Sequence, residues 1–348
     1  MLSVAFVKRS VQISSSRPVA IVSLTRTQGW KNPKGDQFFA RQRAEADAAG
    51  PKLAKVFYRM MQKIGRELHD STGAFTIGSS QRNPPNFLDL CMAPGGFLGI
   101  AMQLNPHSTA TAYSLPVANG GHKILLPTSS NVKIRLLDVT LLAADLGVEN
   151  IPEDHPDRQD FLPKEFGNEL VFDAVLCDGQ VLRTHKRAPY RENREARRLT
   201  VTQLALGLEH IKSGGTMIVL LHKVEAMDTV ELLYRFNRFS IIKLFKSSTS
   251  HAKRSSFYMV ATDIQTGHPE VAMAISQWKR MWEVSTFGSG DEYESQIHEN
   301  SSRAQDIVDD FGPELARMGK DIWDIQARAL SKAPFVAKGS VHPCAVSS

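Results

Sequence analysis

Four apolar runs of this sequence each end in, or close to, a polar side chain that could take part in chemistry. If these runs are parallel strands, their carboxyl ends meet at the edge of the sheet where open α/β folds collect their ligands. There a carboxylate can accept hydrogen bonds from a ligand, and a desolvated lysine can accept a proton. The pattern therefore predicts a binding crevice that contains Asp89, Asp138, Asp178 and Lys223.

The first of these runs leads into a turn with almost no side chains. In the stretch FLDLCMAPGGFLG, the residues of this turn are Ala93, Pro94, Gly95 and Gly96, followed by Phe97. The turn matches neither the phosphate loop G-x-x-x-x-G-K-[ST] nor the dinucleotide fingerprint G-x-G-x-x-G. Because glycine lets a ligand approach the backbone closely, we expect a ligand without a phosphate group to lie against this turn.

From residue 87 to about residue 263, strand-like apolar runs alternate with stretches of helical periodicity. Such alternation is typical of an α/β fold with a mainly parallel sheet and helices on both faces. The last two runs lie close together in the chain, so we expect them to form an antiparallel pair at one edge. The predicted strands are 87–92, 109–116, 132–140, 172–179, 215–223, 239–246 and 255–264, with helices after the first, fourth and fifth.

The flanks of this region are predicted to be helical extensions. Residues 36–70 combine helix-forming residues with apolar positions four apart, and Pro51 is expected to divide them into two helices. The segment 150–168, rich in Asp, Glu and Pro, is expected to be a solvated insertion. We predict an N-terminal extension (1–80), a central α/β domain (81–264) and a C-terminal helical appendage (265–348), whose helices at 269–284 and 301–330 flank a polar loop.

The composition is that of an ordinary globular protein with a basic balance. Its 348 residues carry a formal net charge of +6, which weakly favours a polyanionic partner. No stretch reaches the roughly 20 consecutive apolar residues of a membrane span, so no membrane association is expected. The three cysteines lie far apart, so we expect neither a disulfide framework nor a zinc site, and no metal is assigned.

The N-terminus leaves the cellular compartment open. The first 35 residues contain no acid and carry six Lys or Arg side chains, a composition that suits a mitochondrial transit peptide. The apolar run at 17–24, however, is more typical of a strand. We therefore expect the cytoplasm or the nucleus, and a mitochondrial location remains an alternative.

Several motifs, taken in their order along the chain, resemble those of one family. LDLCMAPGGF, LLDVT, AVLCDGQ, SGGTMIVLLHK and KRSSFYMVA are similar to motifs of the FtsJ-like ribose 2′-O-methyltransferases, which have the Rossmann-like sheet of class I S-adenosylmethionine-dependent methyltransferases. The resemblance covers about 87–262 and is closest to fungal FtsJ-domain proteins, whose helical leader is similar to residues 36–70. It implies S-adenosylmethionine as the cofactor and an RNA ribose 2′-hydroxyl as the methyl acceptor.

The resemblance also assigns roles to individual residues. Gly95 and Phe97 match the glycine and the aromatic that contact the methyl donor, and Asp138 matches the acid that binds its adenine amino group. Asp178 matches the central acid of a Lys-Asp-Lys-Glu tetrad. Lys223 matches the second lysine, which we expect to be partly desolvated and to act as the base. The predicted donor-binding residues are Asp89, Ala93, Pro94, Gly95, Gly96, Phe97, Tyr113, Asp138 and Asp178.

The sequence departs from the family pattern at three positions. Ser256 stands where the tetrad has its glutamate, and Arg59 stands where the tetrad has its first lysine. Lys63 lies one turn later on the same helix face and could take the role of that lysine. Tyr113 stands where the family has its ribose-binding acid. Because a guanidinium does not deprotonate in proteins, Arg59 cannot act as a base, and a protein without turnover remains an alternative. The predicted catalytic residues are Asp178, Lys223, Lys63, Arg59 and Ser256.

A basic segment follows Asp178. Residues 183–198 hold seven Lys or Arg against two Glu, so they could bind RNA phosphates. Neutralising Arg194, Arg197 and Arg198 would then weaken RNA binding. The alternative is an exposed helix start with internal ion pairs. Three functions remain open: an RNA 2′-O-methyltransferase, a methyltransferase for a small molecule or protein, and a donor-binding interaction module.

Overall fold

The computed structural model describes residues 51–78, 84–167, 169–300 and 304–333, together with five positions between 37 and 44. The predicted strand at 17–24 and the acid-free N-terminus lie outside the described residues. The compartment and the division of the chain into three parts therefore stay predictions.

Seven strands form one mixed sheet, in the order β3-β2-β1-β4-β5-β7-β6. Strands β1 to β5 run parallel, whereas β7 lies antiparallel between β5 and β6. The α/β fold class, the seven predicted strands and the antiparallel pair at one edge are confirmed. The strands are β1 (Asn86–Asp89), β2 (Thr109–Ser114), β3 (Val132–Leu136), β4 (Phe172–Cys177), β5 (Ile211–His222), β6 (Ile241–Phe245) and β7 (Ser256–Thr262).

The strand order reverses at β1, which pairs with β2 on one side and with β4 on the other. At such a switch point the connections that leave the two neighbouring strands diverge and open a crevice at their carboxyl ends. The glycine turn after β1 and the loop after β4, which begins at Asp178, therefore border the same crevice.

Helices cover both faces of the sheet, as predicted. The polar loop expected between 285 and 300 is partly wrong, because residues 290–300 form a helix. A capping box explains this helix: Ser289 N–H donates to Glu292 Oε2 (2.7 Å), and Glu292 N–H donates to Ser289 Oγ (3.2 Å). The helices are α1 (Pro51–Thr72), α2 (Gly96–Leu104), α3 (Glu195–Glu209), α4 (Met227–Asn237), α5 (Pro269–Phe287), α6 (Gly290–Asn300) and α7 (Ala304–Ser331).

Each face of the sheet has its own hydrophobic core. Helices α1 and α2 pack against the face that presents Phe87 and Ala174, whereas α3, α4, α5 and α7 pack into the core that contains Leu88 and Val175. Side chains alternate along a strand, so neighbouring residues of one strand belong to opposite cores. This alternation decides which side chains at the strand ends reach the crevice.

The segment 150–168 is only in part the solvated insertion that its composition predicted: Glu153, Asp154, Arg158, Asp160 and Lys164 are exposed, but other residues pack inward. Phe166 is buried, as is the carboxylate of Asp157, and the ring of Phe161 lies 5.7 Å from that of Phe287 in α5. The aromatic residues of the segment pack against α5, and of its charged residues only Asp157 is buried.

Candidate active site

A cavity of about 480 Å³ opens at the carboxyl ends of the central strands. Its volume lies within the roughly 300–1,000 Å³ that is typical of small-molecule sites. The turn after β1, the ends of β3, β4 and β5, and helix α1 contribute to its walls. Of the residues predicted from the sequence, those that line it are Ala93, Pro94, Gly95, Gly96, Phe97, Asp138, Asp178 and Ser256.

The glycine turn is shaped by close contacts within the protein. Gly95 has a φ of +97°, in the left-handed region that favours glycine, and a Cβ there would lie 2.8 Å from Cβ of Leu126. A Cβ on Gly96 would collide with the carbonyl oxygen of Tyr58 in α1. The missing side chains therefore let α1 and the loop around Leu126 approach the turn, which also lines the cavity.

Two buried acids, Asp178 and Asp89, lie at the ends of β4 and β1. Asp178 lines the cavity, whereas Asp89 is only 1% exposed, is not among its lining residues and accepts a hydrogen bond from Cys91 N–H (3.2 Å). Burial raises the pKa of Asp178 to about 7. Burial, and then the charge of Asp178, raise the pKa of Asp89 well above its usual value. Asp178 therefore changes protonation near neutral pH, as a general base should.

Asp138 lies where β3 leads into a 3₁₀ turn (Val139–Leu141). Its Oδ1 accepts hydrogen bonds from the backbone N–H (3.0 Å) and the hydroxyl (2.8 Å) of Thr140. The guanidinium of Arg191 lies 3.6 Å from its Oδ2. These contacts hold the carboxylate in one orientation at the cavity wall.

Lys223, the predicted base, is not brought to the cavity. The last residues of β5 that line the cavity are Leu220 and His222. Lys223 follows the end of the strand, in a turn with left-handed backbone (φ +52°), and its side chain is exposed. The expected desolvation of its ammonium group is therefore wrong, and the position does not fit a base for a reaction in this cavity.

Arg59 and Lys63 also lie outside the cavity. Both are exposed on the outer side of α1, because the apolar stripe of an amphipathic helix turns toward the core. Neither therefore takes the place of the first tetrad lysine in this structure. The α1 residues that line the cavity are Phe57, Met60, Met61 and Ile64.

Tyr113 packs into the hydrophobic core on the α3 side of the sheet and is not among the residues that line the cavity. Its buried ring lies 5.3 Å from that of Phe166, and its hydroxyl donates to Oε1 of Glu165 (3.4 Å). The residues that follow it, Ser114 and Leu115, line the cavity instead. The predicted donor contact of Tyr113 therefore does not fit its position.

Sequence reasoning missed the loop between β6 and β7 (246–256). Lys246 Nζ donates to the backbone carbonyls of Ser256 (2.7 Å), Arg254 (2.7 Å) and His251 (3.4 Å). An ammonium group has three N–H donors, so these three bonds use all of them and fold the loop. The stretch KSSTSHAKRSS, rich in hydroxyl groups and cations between two strands, was the available signal.

This loop lines one side of the cavity with polar side chains. Burial, and then the charges of Arg254 and Lys246, lower the pKa of His251 to about 4, so its imidazole is neutral at pH 7. Among the residues of this loop that line the cavity, the cationic side chains are therefore Lys246 and Arg254. We call 246–256 the loop wall; its cavity-lining residues are Lys246, Ser247, Ser250, His251, Arg254 and Ser256.

Two loops close over the cavity from the other side. Lys186 N–H donates to the carbonyl of Asn119 (3.0 Å), and a Cβ on Gly120 would collide with the carbonyl oxygen of Thr184. The loops at 117–126 and 182–187 therefore meet and cover part of the cavity. Its lining residues from these loops include His122, His185 and Lys186.

The sequence matches the model of a known protein family. The model of the family described as FtsJ-like methyltransferase matches residues 66–264, which are 199 of the 348 residues. The chain belongs to the FtsJ-like methyltransferase family. The match begins within α1 and ends just after β7, so it contains the whole sheet. A comparison with curated proteins finds no match.

Solved structures similar to this FtsJ-like methyltransferase include several kinds of methyltransferase. An O-methyltransferase family protein from Burkholderia thailandensis is 12% identical over 72% of this chain and 73% of that chain, with a TM-score of 0.36. NodS, an N-methyltransferase from Bradyrhizobium japonicum in complex with S-adenosylhomocysteine, is 13% identical over 65% and 97% (TM-score 0.33). An rRNA methylase from Streptococcus thermophilus is 13% identical over 57% and 98% (TM-score 0.32). We infer no substrate from these likenesses.

FtsJ-like methyltransferases take their methyl group from S-adenosylmethionine, and the cavity of this member fits that donor. At its wall the fixed carboxylate of Asp138 can accept a hydrogen bond from an adenine amino group. Apolar side chains of Leu137 and Val139 flank it in the cavity lining and suit the faces of a purine. The carboxylate of Asp178 can lie near the positive charge of the donor. The individual donor contacts stay predictions.

The basic segment 183–198 does not present its arginines as a phosphate-binding surface. Arg198 is fully buried, Arg194 donates to the carbonyl of Gly288 (2.7 Å), and Arg197 forms an ion pair with an aspartate of α4 (2.8 Å). The expectation that these three bind RNA phosphates does not fit these contacts, which correspond to the alternative of internal pairing. Helix α5, distant in sequence, packs against the segment and causes the difference.

Other kinds of site were sought in the described part of the chain. Within it, no group of three or more His, Cys, Asp or Glu side chains lies together as the ligands of a metal would. No helix of that part combines the length and the apolar character needed to cross a bilayer. Cys91 and Cys177 are free thiols.

Proposed function

We propose that this FtsJ-like methyltransferase methylates the 2′-hydroxyl group of a ribose in RNA. The observation that supports this most is that Asp178 and the loop wall border the same cavity. A hydroxyl group that becomes methylated must lose a proton, and a nucleotide carries a phosphate near that hydroxyl. An acid that titrates near neutral pH and a wall with cationic and hydroxyl side chains suit these two requirements.

In this proposal Asp178 accepts the proton of the attacking hydroxyl. S-adenosylmethionine, when bound, supplies a methyl group on a positively charged sulfur. If a ribose oxygen attacked this methyl group, the C–S bond would break with its electron pair left on sulfur, and the hydroxyl would have to give up its proton. The O–H proton passes to the carboxylate of Asp178. Because burial raises the pKa of Asp178 to about 7, the group is a stronger base than an exposed aspartate and is still largely ionised above pH 7.

The loop wall positions the RNA. The guanidinium of Arg254 can bind a phosphate through two parallel hydrogen bonds, and Lys246 adds a second positive charge. The hydroxyl of Ser256 stands at the family's glutamate position and can orient the ribose, although it cannot accept a proton as a carboxylate would. The proposal thus assigns the proton transfer to Asp178 instead of Lys223, because Asp178 lines the cavity and Lys223 does not.

A second candidate is methylation of a hydroxyl group on a small molecule. Two observations favour it: the loops at 117–126 and 182–187 cover part of the cavity, and the basic segment 183–198 uses its arginines internally. A small acceptor needs no extended basic surface outside the cavity, whereas a long RNA usually does.

Nucleoside mass spectrometry separates the two candidates. RNA is prepared from cells that lack the gene and from the same cells supplied with the wild-type protein, Asp178→Asn or Asp173→Asn. Asp173 is the matched control, since it lies on β4 at the opposite end from the cavity. We expect one 2′-O-methyl nucleoside to disappear and to return with the wild type and Asp173→Asn alone.

Unchanged 2′-O-methyl nucleosides in cells that lack the gene would contradict the RNA proposal. The purified protein is then incubated with labelled S-adenosylmethionine and a small-molecule extract of the same cells. Label in a small product, absent with Asp178→Asn, would support the second candidate.

A further inference from the structure

The turn after β3 is held by residues that lie far from it in the sequence. The carbonyl of Thr140 accepts hydrogen bonds from the indole N–H of Trp282 in α5 (3.0 Å) and from the guanidinium of Arg198 in α3 (3.1 Å). The side chains of Trp282 and Arg198 are both fully buried. A carbonyl oxygen has two lone pairs, and both are used here, so the turn has little freedom to move.

A second arginine reaches the same turn from the loop before α3. Nη1 of Arg191 lies 3.6 Å from Oδ2 of Asp138 and donates to the hydroxyl of Thr140 (3.4 Å). The same nitrogen lies 3.6 Å from Oε1 of Glu195. Nε lies 3.2 Å from Oδ2 of Asp157, at an angle that makes no hydrogen bond. One buried guanidinium therefore lies among three carboxylates, including the one predicted to bind adenine.

The carboxylates keep this guanidinium charged inside the protein. Burial alone would lower the pKa of Arg191, but Glu195, Asp138 and Asp157 together raise it. In return, Arg191 neutralises carboxylates that would otherwise repel one another at short range. The orientation of Asp138 therefore depends on a residue that itself does not line the cavity.

We propose that Arg191 is a positioning residue for the methyl donor and that α5 completes the donor site. Arg191 orients the Asp138 carboxylate toward the adenine amino group, and Trp282 fixes Thr140, which holds the other carboxylate oxygen. Helix α5 lies beyond the 66–264 family match. The proposal rests on the predicted contact between Asp138 and adenine and does not depend on the methyl acceptor.

The test compares two ligands by calorimetric titration. S-adenosylhomocysteine carries the adenine amino group, whereas S-inosylhomocysteine has a carbonyl oxygen in its place, which a carboxylate repels. We expect the wild type to prefer the first ligand by about tenfold or more, as for one charge-assisted hydrogen bond. In Arg191→Lys the preference should fall to about threefold, since a lysine cannot span the same carboxylates. In Trp282→Phe, which keeps an aromatic ring but loses the indole N–H, we expect the preference for S-adenosylhomocysteine to be about fivefold.

Matched controls lie on the same elements. Trp278→Phe alters a tryptophan of α5 that packs against Phe236, and Arg197→Lys alters an arginine of α3 that pairs at the surface. Both should keep the wild-type preference. A uniform loss of affinity for both ligands in Arg191→Lys and Trp282→Phe would indicate a merely structural role and would overturn the proposal, as would an unchanged preference.

Asp138→Asn serves as the reference variant. If it keeps the full preference, adenine does not contact Asp138 and the proposal is wrong for that reason. If it loses the preference while Arg191→Lys and Trp282→Phe keep it, the contact is right and the positioning role is wrong. None of these results bears on the RNA proposal, because S-adenosylhomocysteine binding is measured without a methyl acceptor.

Discussion

Two basic stretches border the cavity, and the structure uses their cations differently. In the segment 183–198, Arg198 is fully buried and donates hydrogen bonds to Glu195 (2.7 Å) and to two other groups. In the loop wall, Lys246 folds the loop through backbone carbonyls, and Arg254 is exposed at the cavity. The two stretches look alike in charge, yet Arg194, Arg197 and Arg198 of the first bind groups of the protein itself, whereas Lys186 of the first and Arg254 of the second are exposed at the cavity.

The difference has a local and a tertiary cause. The segment 183–198 contains two glutamates and enters a helix against which α5 packs, so its arginines find acids and carbonyls inside the protein. The stretch 246–256 contains no acid and turns between two strands, so no carboxylate lies within the loop itself. The density of positive charge in a sequence therefore does not tell whether a cation stabilises a fold or lines a site.

The largest expected effect that tests this comparison is on stability. Arg198→Ala removes a buried guanidinium and leaves Glu195 without its 2.7 Å partner. We expect the free energy of unfolding to fall by about 3–5 kcal/mol, as for a broken buried ion pair. Arg254→Ala, at an exposed position, should change it by less than about 0.5 kcal/mol. Urea denaturation of both variants measures the two changes in unfolding free energy. Equal losses would contradict the distinction between the two basic stretches.

A second effect concerns Asp178, whose pKa is governed by burial. Because its pKa is raised from 3.8 to about 7, the folded protein binds a proton that the unfolded chain has lost between these values. The contribution of this group to stability is therefore present below about pH 4 and is lost as the pH rises through about 7. Asp178→Asn cannot ionise. It should exceed the wild type in unfolding free energy by on the order of 1–4 kcal/mol at pH 8 and match it near pH 4.

Chemical denaturation at the two pH values checks this. If the difference in unfolding free energy between Asp178→Asn and the wild type is the same at both pH values, a cation from either basic stretch compensates the charge of Asp178 in solution.

A third effect is expected on RNA affinity. If the loop wall binds phosphate, Arg254→Ala should weaken binding about three- to tenfold and lower the slope of log affinity against log salt by about one. Arg197→Ala, from the other basic stretch, should leave the slope unchanged, because Arg197 pairs with Asp228. Fluorescence anisotropy of a labelled RNA oligonucleotide over a range of salt concentrations gives both slopes. A lower slope with Arg197→Ala and an unchanged slope with Arg254→Ala would indicate that the segment 183–198, and not the loop wall, binds phosphate.

The smallest effect is expected at Lys223. Its side chain is exposed and outside the cavity, so Lys223→Ala should keep methyl transfer within about twofold of the wild type. The alignment with the family tetrad predicts the opposite, a complete loss of turnover with donor binding retained. Initial rates with the acceptor found by mass spectrometry decide between the two. Loss of turnover would mean that Lys223 enters the cavity when substrates bind.

Much of the fold could be predicted because its signals are local. Apolar runs, the glycine turn and Pro51 lie within short stretches, and each indicates its element without information about neighbours. The helix at 290–300 was missed although its capping box is visible in the sequence. The packing of 150–168 could not be predicted, because it depends on aromatic side chains of α5 more than a hundred residues away.

The sequence by itself determined the seven strand segments, the turn at Gly95 and the placing of Asp138 and Asp178 at strand ends. These follow from apolar patterns and turn residues, which act over a few positions. Only the tertiary structure decided which side chains enter the cavity. Tyr113 packs beside Phe166 in the core while Ser114 and Leu115 line the cavity, and Lys223, in the left-handed turn after β5, does not line it. Packing against elements distant in sequence decides these positions.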